Sequence, residues 1–367
     1  MKQKLVHTAL LIGSIIFSLL ALEVGLRAYV GLQNYKKGLP YEFAYQLTNF
    51  RNHFIAFNMK GGGSPAAFDP ELGWVPKQGV WGNNITILED GVRSNGRGEL
   101  RDWSEPILAV GDSFTFGSQV ADSETWPAEL EKLTGRKVIN GGVFAYGIDQ
   151  AFLRARHLLS RYRFSTVIFS FISDDIRRCQ LSEGWSRQKP YFDFKDGRLT
   201  LENVPVRPPS PPKESELLIA MEHSQLVHSV MRRLFPEWWL RSHNTQVHDD
   251  HKGTEVACAL LHELEGLTKS RGSELIVLIQ YMRGGEFFES DSMAVKSVLR
   301  CISDPATRVL DTKPALSELK AKDRSRYERL YDYHMTAEGN QFVALEISKF
   351  LTQRSTEVDQ SGLSPAR

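Results

Sequence analysis

The sequence predicts an α/β protein with three layers, in which a mostly parallel central sheet carries helices on both faces. Five apolar runs have the length expected of buried strands, and predicted helices lie between them, which is the alternation typical of parallel sheets. An apolar N-terminal segment precedes this pattern, so we expect a transmembrane helix ahead of the α/β domain.

Residues 1–30 are predicted to form a transmembrane signal anchor. Leu5 to Leu22 is an uncharged, mostly apolar stretch of 18 residues, near the lower limit for a spanning helix and longer than a typical signal-peptide core. Lys2 and Lys4 precede it, and no convincing small-residue cleavage site follows. We expect a single-pass protein of the inner (cytoplasmic) membrane with an extracytoplasmic, periplasmic body. A cleaved signal peptide is the alternative, and it places the body on the same side.

The composition argues against several classes of partner. The 367 residues hold 45 lysines and arginines against 44 aspartates and glutamates, so the chain lacks the basic field that attracts nucleic acid. The cysteines Cys179, Cys258 and Cys301 have no metal-ligand spacing, and a single disulfide stays open. The glycines of GVFAYG are not followed by the lysine of a nucleotide-binding loop. We expect no cofactor, no metal and no nucleic acid.

Residues 31–104 are an irregular prelude to the main domain. The run Gly61 to Pro65 predicts a flexible break, after which FDPELGW follows. Apolar and polar residues alternate from Ile85 to Leu88, ahead of the turn at residues 89–91. We therefore expect an extracytoplasmic segment with short strands and a tight turn.

The α/β domain is predicted over residues 105–355, with a disordered tail at 356–367. Its strand candidates are 106–110, 137–140, 166–171, 274–281 and 307–311. Its helix candidates are about 124–134, 149–162, 254–270, 290–300 and 337–352. Apolar residues recur at helical spacing in the second and the last of these helices, which predicts that one face of each packs on the sheet.

An insertion at about 181–250 separates the third strand from the fourth. The run Pro205 to Pro212 predicts an extended connector without regular structure. An apolar helix candidate from Glu214 to Phe235 and the pair Trp238-Trp239 follow it. Two interpretations stay open: a lid or substrate-binding cap, or a peripheral helix whose tryptophans pack on the core or on lipid.

The sequence GDSFTFG, Gly111 to Gly117, gives the first sign of chemistry. It follows the first buried strand, so Ser113 is placed at the carboxyl end of a parallel strand, the edge where open α/β sheets bind ligands. Ser113 is therefore a candidate nucleophile. A serine that caps a helix in an ordinary strand-to-helix turn is the alternative.

A serine nucleophile needs a base that takes its proton and a third group that orients the base. His334 lies after the last strand and just before the closing helix, where a parallel sheet brings its loops together. Asp332, two residues earlier, can reach Nδ1 of that imidazole. We expect Ser113, His334 and Asp332 to form a triad, although a surface turn pair is the alternative for the last two.

Two further loops offer donors for the oxyanion that forms during acyl transfer. The run Asn140 to Gly142 follows the second strand, and its glycines allow a backbone N–H to face the site. The run Ser173 to Asp175 follows the third strand. Ordinary turn and capping chemistry is the alternative for both loops.

The order of these blocks resembles that of the SGNH (GDSL-like) hydrolase superfamily, in particular its membrane-anchored bacterial branch. GDSFTFG is similar to the first family block, VINGGVFAYGIDQ to the second, FISDDIRR to the third and DYHMTAEGNQFVA to the last. The resemblance covers about residues 105–180 and 274–352, and FDPELGW and ITILEDGVR of the prelude also look like that branch.

The resemblance implies a flavodoxin-like SGNH fold and a set of site residues. Ser113 stands in the place of the nucleophile, with Asp332 and His334 as its triad partners. The implied oxyanion hole comprises the Ser113 N–H, Gly142 and position 174. The candidate supporting residues are Asp112, Asn140 and Ser173.

Two departures from the family pattern bear on activity. The third family block normally offers an asparagine, whereas this chain has Asp174, and an ionised aspartate cannot donate to an oxyanion. A protonated Asp174, the Ser173 hydroxyl or the two backbone N–H groups could replace that donor; otherwise activity is weak or absent. One residue separates Asp332 from His334 where simple esterases have two, which is similar to the polysaccharide O-acetyltransferase relatives.

These observations predict an extracytoplasmic, membrane-anchored serine esterase that removes acyl groups such as acetyl from an envelope or exported glycan. Two alternatives stay open: a polysaccharide O-acetyltransferase that uses the same triad, and a non-catalytic carbohydrate-binding or scaffold protein on this fold. The expected partners are an acylated glycan or another ester as substrate, the membrane through the N-terminal helix, and candidate proteins of envelope polysaccharide assembly.

Overall fold

The computed structural model describes residues 2–36, 66–81, 84–96, 105–184, 187–208, 221, 224–235, 245–247, 252–285, 289–332 and 334–361. The chain divides into two compact units. The first comprises residues 1–64, 185–187 and 209–246, and the second comprises 65–184, 188–208 and 247–367. The prelude from residue 65 onward therefore belongs to the same unit as the α/β domain.

Helices and strands alternate along most of the described chain. Before the insertion the elements are α1 (Lys2–Lys36), β1 (Ala66–Asp69), β2 (Gly73–Pro76), β3 (Gly79–Trp81), β4 (Ile85–Ile87), β5 (Ile107–Val110), α2 (Ser113–Phe116), α3 (Trp126–Thr134), β6 (Val138–Asn140), α4 (Ile148–Arg161), β7 (Thr166–Phe171) and α5 (Ser173–Arg178). The insertion holds β8 (Leu181–Gly184), β9 (Arg187–Gln188), β10 (Tyr191–Lys195), β11 (Arg198–Glu202), α6 (Gln225–Leu234) and β12 (Thr245–Val247). After it come α7 (Gly253–Ser270), β13 (Glu274–Ile279), α8 (Glu289–Leu299), β14 (Arg308–Asp311), α9 (Lys313–Lys322), α10 (Arg324–Arg329), β15 (Tyr331–Asp332), β16 (His334–Met335) and α11 (Ala337–Ser361).

The second unit is built on a five-stranded sheet with the order β14-β13-β7-β5-β6, and its pairings are parallel. Every residue of β5 and of β7 is buried, as expected for central strands covered on both faces. Because β5 lies between β6 and β7, the chain leaves the first strand on one side and returns on the other. This reversal creates a switch point at the carboxyl ends of β5 and β7, where open α/β sheets bind ligands.

The helices cover this sheet as a three-layer arrangement, which confirms the predicted fold class. Helix α3 contacts α11, and α4 contacts α7. The apolar stripe predicted in α4 is buried, including Phe152, Leu158 and Leu159. Helix α3 begins where the Thr125 hydroxyl accepts a hydrogen bond from the Ala128 N–H, and it ends at a glycine, Gly135, in a left-handed conformation.

The structure adds elements that the periodicity does not predict. The hairpin β10–β11 lies inside the insertion, and α9 and α10 precede the final hairpin β15–β16. Helix α11 continues to Ser361, whereas the sequence predicts a helix only to 352 and a disordered tail from 356. The described residues of the proline-rich run, 205–208, have no regular structure. The predicted break at 61–65, residues 209–220 and Trp238-Trp239 lie outside the described residues.

The prelude is attached to the sheet through short strands and one arginine. Strands β1 and β2 pair antiparallel, as do β3 and β4, and a tight turn at residues 89–91 follows β4. Arg93 then bridges to Asn140 at the end of β6. The prelude thereby extends the β6 edge, close to the switch point.

The first unit contains the N-terminal helix α1. Its segment Val6–Tyr29 is long and apolar enough to cross a membrane, a property it shares with signal sequences, and none of its most apolar window is buried. Within the same unit, the Glu23 carboxylate accepts hydrogen bonds from the backbone N–H groups of Gln225 and Leu226 and from the Ser224 hydroxyl. Glu23 of α1 therefore caps the N-terminus of α6.

One disulfide joins Cys258 of α7 to Cys301, two residues beyond the end of α8. The Cα atoms are 5.3 Å apart and the bridge closes 43 residues of chain. Cys179 is buried and takes no part in a disulfide. The single bridge, left open by the cysteine count, therefore connects two helices of the second unit.

Candidate active site

Ser113 is the first residue of the short helix α2, directly beyond β5. Asp112 is the N-cap of that helix, and its carboxylate accepts a hydrogen bond from the Phe114 N–H at 2.9 Å. Capping therefore does not account for the serine. Ser113 is 7% exposed, and its Oγ lies 2.9 Å from Nε2 of His334 and 3.4 Å from Oδ2 of Asp112.

His334 reaches Ser113 from β16, and its ring packs on Phe114 with centroids 5.3 Å apart. Burial, and then the positive charge of Arg178, lower the pKa of His334 to about 4. The imidazole is consequently neutral near pH 7. A neutral imidazole is the form that can take a proton from a serine hydroxyl.

The expected contact between Asp332 and His334 is absent among the described residues. Asp332 is exposed, and neither ring nitrogen of His334 is directed to it. Oε1 of Gln119 lies 3.2 Å from Nδ1 and also accepts a hydrogen bond from the His334 backbone N–H at 2.6 Å. Gln119 therefore takes the position beside Nδ1 that the sequence predicts for Asp332. Ser113 faces the other ring nitrogen, Nε2.

The loop after β6 lies directly against α2. A Cβ at Gly142 would overlap backbone atoms of Thr115 and Phe116, so only glycine allows this approach. The Gly142 N–H donates to Oδ1 of Asn140 at 3.1 Å, whereas the Ser113 N–H has no acceptor within the part of the chain that is described. Of the two expected backbone oxyanion donors, only that of Ser113 is free in this state.

Asp174 is ionised rather than protonated. Its Oδ1 accepts from Nε of Arg177 at 2.7 Å, and its Oδ2 accepts from Nε of Arg178 at 3.0 Å. Partial burial acts to raise the pKa of Asp174, but the Arg178 and Arg177 guanidinium groups outweigh it and hold the pKa below its ordinary value. A protonated Asp174 is therefore not the missing oxyanion donor. The Ser173 hydroxyl makes no hydrogen bond among the residues described.

Arg178 brings a buried positive charge to the site. Its Nη1 donates to Oδ1 of Asp175 at 2.7 Å and to the Tyr146 carbonyl at 2.9 Å, and it lies 3.8 Å from Oδ2 of Asp112. Burial raises the pKa values of Asp112 and Asp175, the neighbouring Asp112 carboxylate raises that of Asp175 further, and Arg178 opposes both shifts. Arg178 thus offsets the carboxylates that surround the serine turn.

The sequence contains a signal for the contact of Arg178 with Asp174, but none for the contact of Gln119 with His334. Arg178 follows Asp174 by four residues on α5, a spacing that pairs opposite charges on a helix, so the motif FISDDIRR held a usable signal. Gln119 is 215 residues from His334 and belongs to no pattern that predicts the contact. Within the described ranges, no group of three or more potential metal-ligating residues is placed to hold an ion.

No family model and no curated protein sequence matches this chain. Among solved structures, it is similar to a member of the lipolytic protein G-D-S-L family from Veillonella parvula DSM 2008, with a TM-score of 0.40 and 10% identity over 68% of this chain and 98% of that chain. It is also similar to a two-domain esterase active on acetylated mannans, with a TM-score of 0.40 and 12% identity over 69% of this chain. The alignment spans 50% of that esterase.

A third similar structure is a catalytic mutant of an acetylxylan esterase from Geobacillus stearothermophilus, with a TM-score of 0.39 and 13% identity over 68% of this chain and 95% of that chain.

Proposed function

We propose that this chain is a serine esterase that removes small acyl groups, acetyl above all, from a glycan outside the cytoplasm. The observation that carries the proposal is the 2.9 Å separation between Ser113 Oγ and His334 Nε2 at the switch point of a parallel sheet. These side chains are 221 residues apart in sequence. A serine placed against a neutral imidazole at a ligand-binding edge is the arrangement that nucleophilic catalysis requires.

Acylation follows from this geometry. His334 Nε2 takes the Ser113 proton as Oγ forms a bond with the ester carbonyl carbon, and the carbonyl electron pair moves onto oxygen. The Ser113 N–H is available to this oxyanion, and the Gly142 N–H can join it by exchanging its bond to Asn140. The imidazolium then protonates the leaving sugar oxygen as the tetrahedral intermediate collapses to the acyl-enzyme.

Deacylation repeats the same steps with water. His334 takes a proton from a water molecule, whose oxygen attacks the acyl carbon, and Ser113 leaves with the proton returned by the imidazole. The products are the free carboxylic acid and the regenerated serine. The choice of an acetylated glycan as the first substrate follows the sequence resemblance to polysaccharide-modifying relatives of this superfamily.

The test is hydrolysis of an acetyl ester and of an acetylated oligosaccharide by the full chain. We expect Ser113→Ala and His334→Ala each to lower kcat/KM at least about 10³-fold, because each removes a partner of the proton transfer. Ser118→Ala, on the same loop, is the matched control. A serine-reactive phosphonate should label the wild type and not Ser113→Ala. An unlabelled wild type without esterase activity would favour the non-catalytic carbohydrate-binding interpretation.

Acyl transfer to a sugar hydroxyl is the second candidate function. It is favoured by the single residue between Asp332 and His334, which is similar to the O-acetyltransferase relatives. Both functions share the acyl-enzyme and differ in the second attacking oxygen. Acetate release that is independent of an added oligosaccharide acceptor supports hydrolysis, and acceptor-dependent consumption of the donor with an acetylated oligosaccharide as product supports transfer.

The same proposal places the catalytic unit outside the cytoplasmic membrane, with α1 as the anchor. Two observations support it: the apolar segment Val6–Tyr29 and the Cys258–Cys301 disulfide, since disulfides persist mainly in oxidising compartments. A cleaved signal peptide would give the same compartment without the anchor.

A further inference from the structure

We propose that Gln119, and not Asp332, is the residue that orients His334 and sets its tautomer. This inference rests on the proposed esterase function and assigns one role within it. Three contacts carry it: the Gln119 side-chain oxygen faces both the backbone N–H and Nδ1 of His334, and Nε2 faces Ser113.

The backbone contact fixes which way the Gln119 amide points. The His334 backbone N–H can only donate, so the side-chain atom 2.6 Å from it must be the acceptor, which is Oε1 and not Nε2. The same Oε1 lies 3.2 Å from Nδ1 of the ring. Because a carbonyl oxygen can only accept, Nδ1 must carry the proton.

The tautomer then follows for the other side of the ring. A neutral imidazole carries one proton, so protonation at Nδ1 leaves a lone pair on Nε2. That lone pair faces the Ser113 hydroxyl at 2.9 Å. Gln119 thus selects the tautomer in which His334 can take the serine proton, which is the orienting role that a carboxylate has in a serine triad.

Asp332 does not make the contact with the imidazole that this role requires. Its backbone pairs with that of His334 across the hairpin β15–β16, while its side chain is exposed. It has no hydrogen bond to the imidazole among the described residues.

Gln119 is an exposed residue of the loop that also carries the nucleophile, and buried contacts hold the backbone of that loop. The Gly117 N–H donates to the Ser113 carbonyl, with Gly117 at φ +79°, a conformation that favours glycine. The buried guanidinium of Arg93 donates to the carbonyls of Phe116, Gly117 and Val120 around this turn. The nucleophile and the orienting residue are therefore held in one short, braced segment.

A neutral orienting group has a measurable consequence. A carboxylate beside Nδ1 would stabilise the imidazolium and raise the pKa of the histidine, whereas an amide oxygen does so only weakly. This agrees with the pKa of His334, which burial and then Arg178 lower to about 4. The base form of His334 is consequently retained far into the acidic range.

The test compares Gln119→Ala, Gln119→Glu and Asp332→Asn in the full chain, with Ser118→Ala as the control for the loop. We expect wild-type kcat/KM to fall on the acid side only near pH 4.

Gln119→Ala should lower kcat by about 10–100-fold, since it removes the tautomer selection that a general base needs. Gln119→Glu should retain activity and move the acid limb upward by at least about one pH unit, because the new carboxylate favours the imidazolium. Asp332→Asn should change kcat/KM less than about threefold.

Nitrogen NMR of ¹⁵N-histidine-labelled protein supplies a readout that does not depend on turnover. The wild type and Asp332→Asn should show His334 protonated at Nδ1, and Gln119→Ala should show a mixture of tautomers. The proposal is overturned if Asp332→Asn shifts the pH profile or the tautomer while Gln119→Ala leaves both unchanged. If instead Ser113→Ala retains esterase activity, the proposed function fails, whereas the tautomer measurement still decides the role of Gln119.

Discussion

At the scale of single residues, Asp174 is the most consequential departure from the motif pattern that the sequence resembles. It stands where an oxyanion-donating asparagine is expected, and its carboxylate is held ionised by Arg177 and Arg178. In the proposed mechanism, this negative charge would oppose the developing oxyanion, and the neighbouring Arg178 would reduce that opposition.

Replacing Asp174 with asparagine should therefore raise the rate. Asp174→Asn keeps the shape, removes the negative charge and provides an N–H donor, so we expect kcat to increase on the order of tenfold, since one such donor is typically worth 10²–10³ in rate. Asp196→Asn, in the exposed turn between β10 and β11, is the matched control. A kcat that is unchanged or lower in a normally folded Asp174→Asn would argue against this role of the charge.

At the scale of structural elements, the prelude supports the site through Arg93. Its side chain is fully buried, pairs with Asp122 at 2.9 Å and binds three carbonyls of the loop after α2. Asp122 in turn accepts from the Thr86 N–H of β4. The resemblance of ITILEDGVR to the membrane-anchored branch thus coincides with a structural brace for the serine loop.

Arg93→Met should destabilise the fold and slow the reaction together. It leaves the Asp122 carboxylate and the loop carbonyls without their buried partner, so the free energy of unfolding in urea should fall by about 3–5 kcal/mol. At temperatures where the variant stays folded, kcat should still fall because Gln119 loses its support. Arg161→Met, which breaks a more exposed pair with Asp90, should cost no more than about 1 kcal/mol. Equal losses of the free energy of unfolding in the two variants would contradict the proposal that Arg93 braces the serine loop.

At the scale of the whole molecule, the apolar segment of α1 and the disulfide both bear on the cellular location of the protein. The bridge Cys258–Cys301 spans 43 residues and ties α7 to the end of α8, while Cys179 stays a buried thiol. If the second unit is exported, the protein should therefore hold one thiol outside a disulfide, and if it is kept in the reducing cytoplasm it should hold three.

Thiol counting and unfolding measurements check this. Alkylation of the denatured full-length protein from membranes should modify one cysteine. Reductant should lower the free energy of unfolding by about 2–4 kcal/mol, the usual contribution of a disulfide. The double variant Cys258→Ala, Cys301→Ala should be insensitive to reductant. Three alkylated cysteines in the exported protein would rule out the bridge as a structural element.

The central sheet was predictable from local sequence. Buried parallel strands must be short apolar runs, and the helices between them must carry apolar stripes, so periodicity predicted both ends of all five strands to within two residues. Periodicity did not predict the hairpin β10–β11 or the helices α9 and α10, because their sequence patterns are short and only partly apolar. Their stability depends on contacts with the rest of the unit.

The sequence alone determined the fold class and the candidate serine and histidine, because both depend on patterns and on the ends of strands, which are local. Only the tertiary structure decided which group faces Nδ1 of His334, how Asp174 is charged and what holds the serine loop. Gln119, Arg178 and Arg93 make contacts with partners that only folding brings together, and Arg178 and Arg93 are also buried. Such contacts have no periodic signature, and for that reason the sequence predicted an aspartate where the folded chain presents an amide.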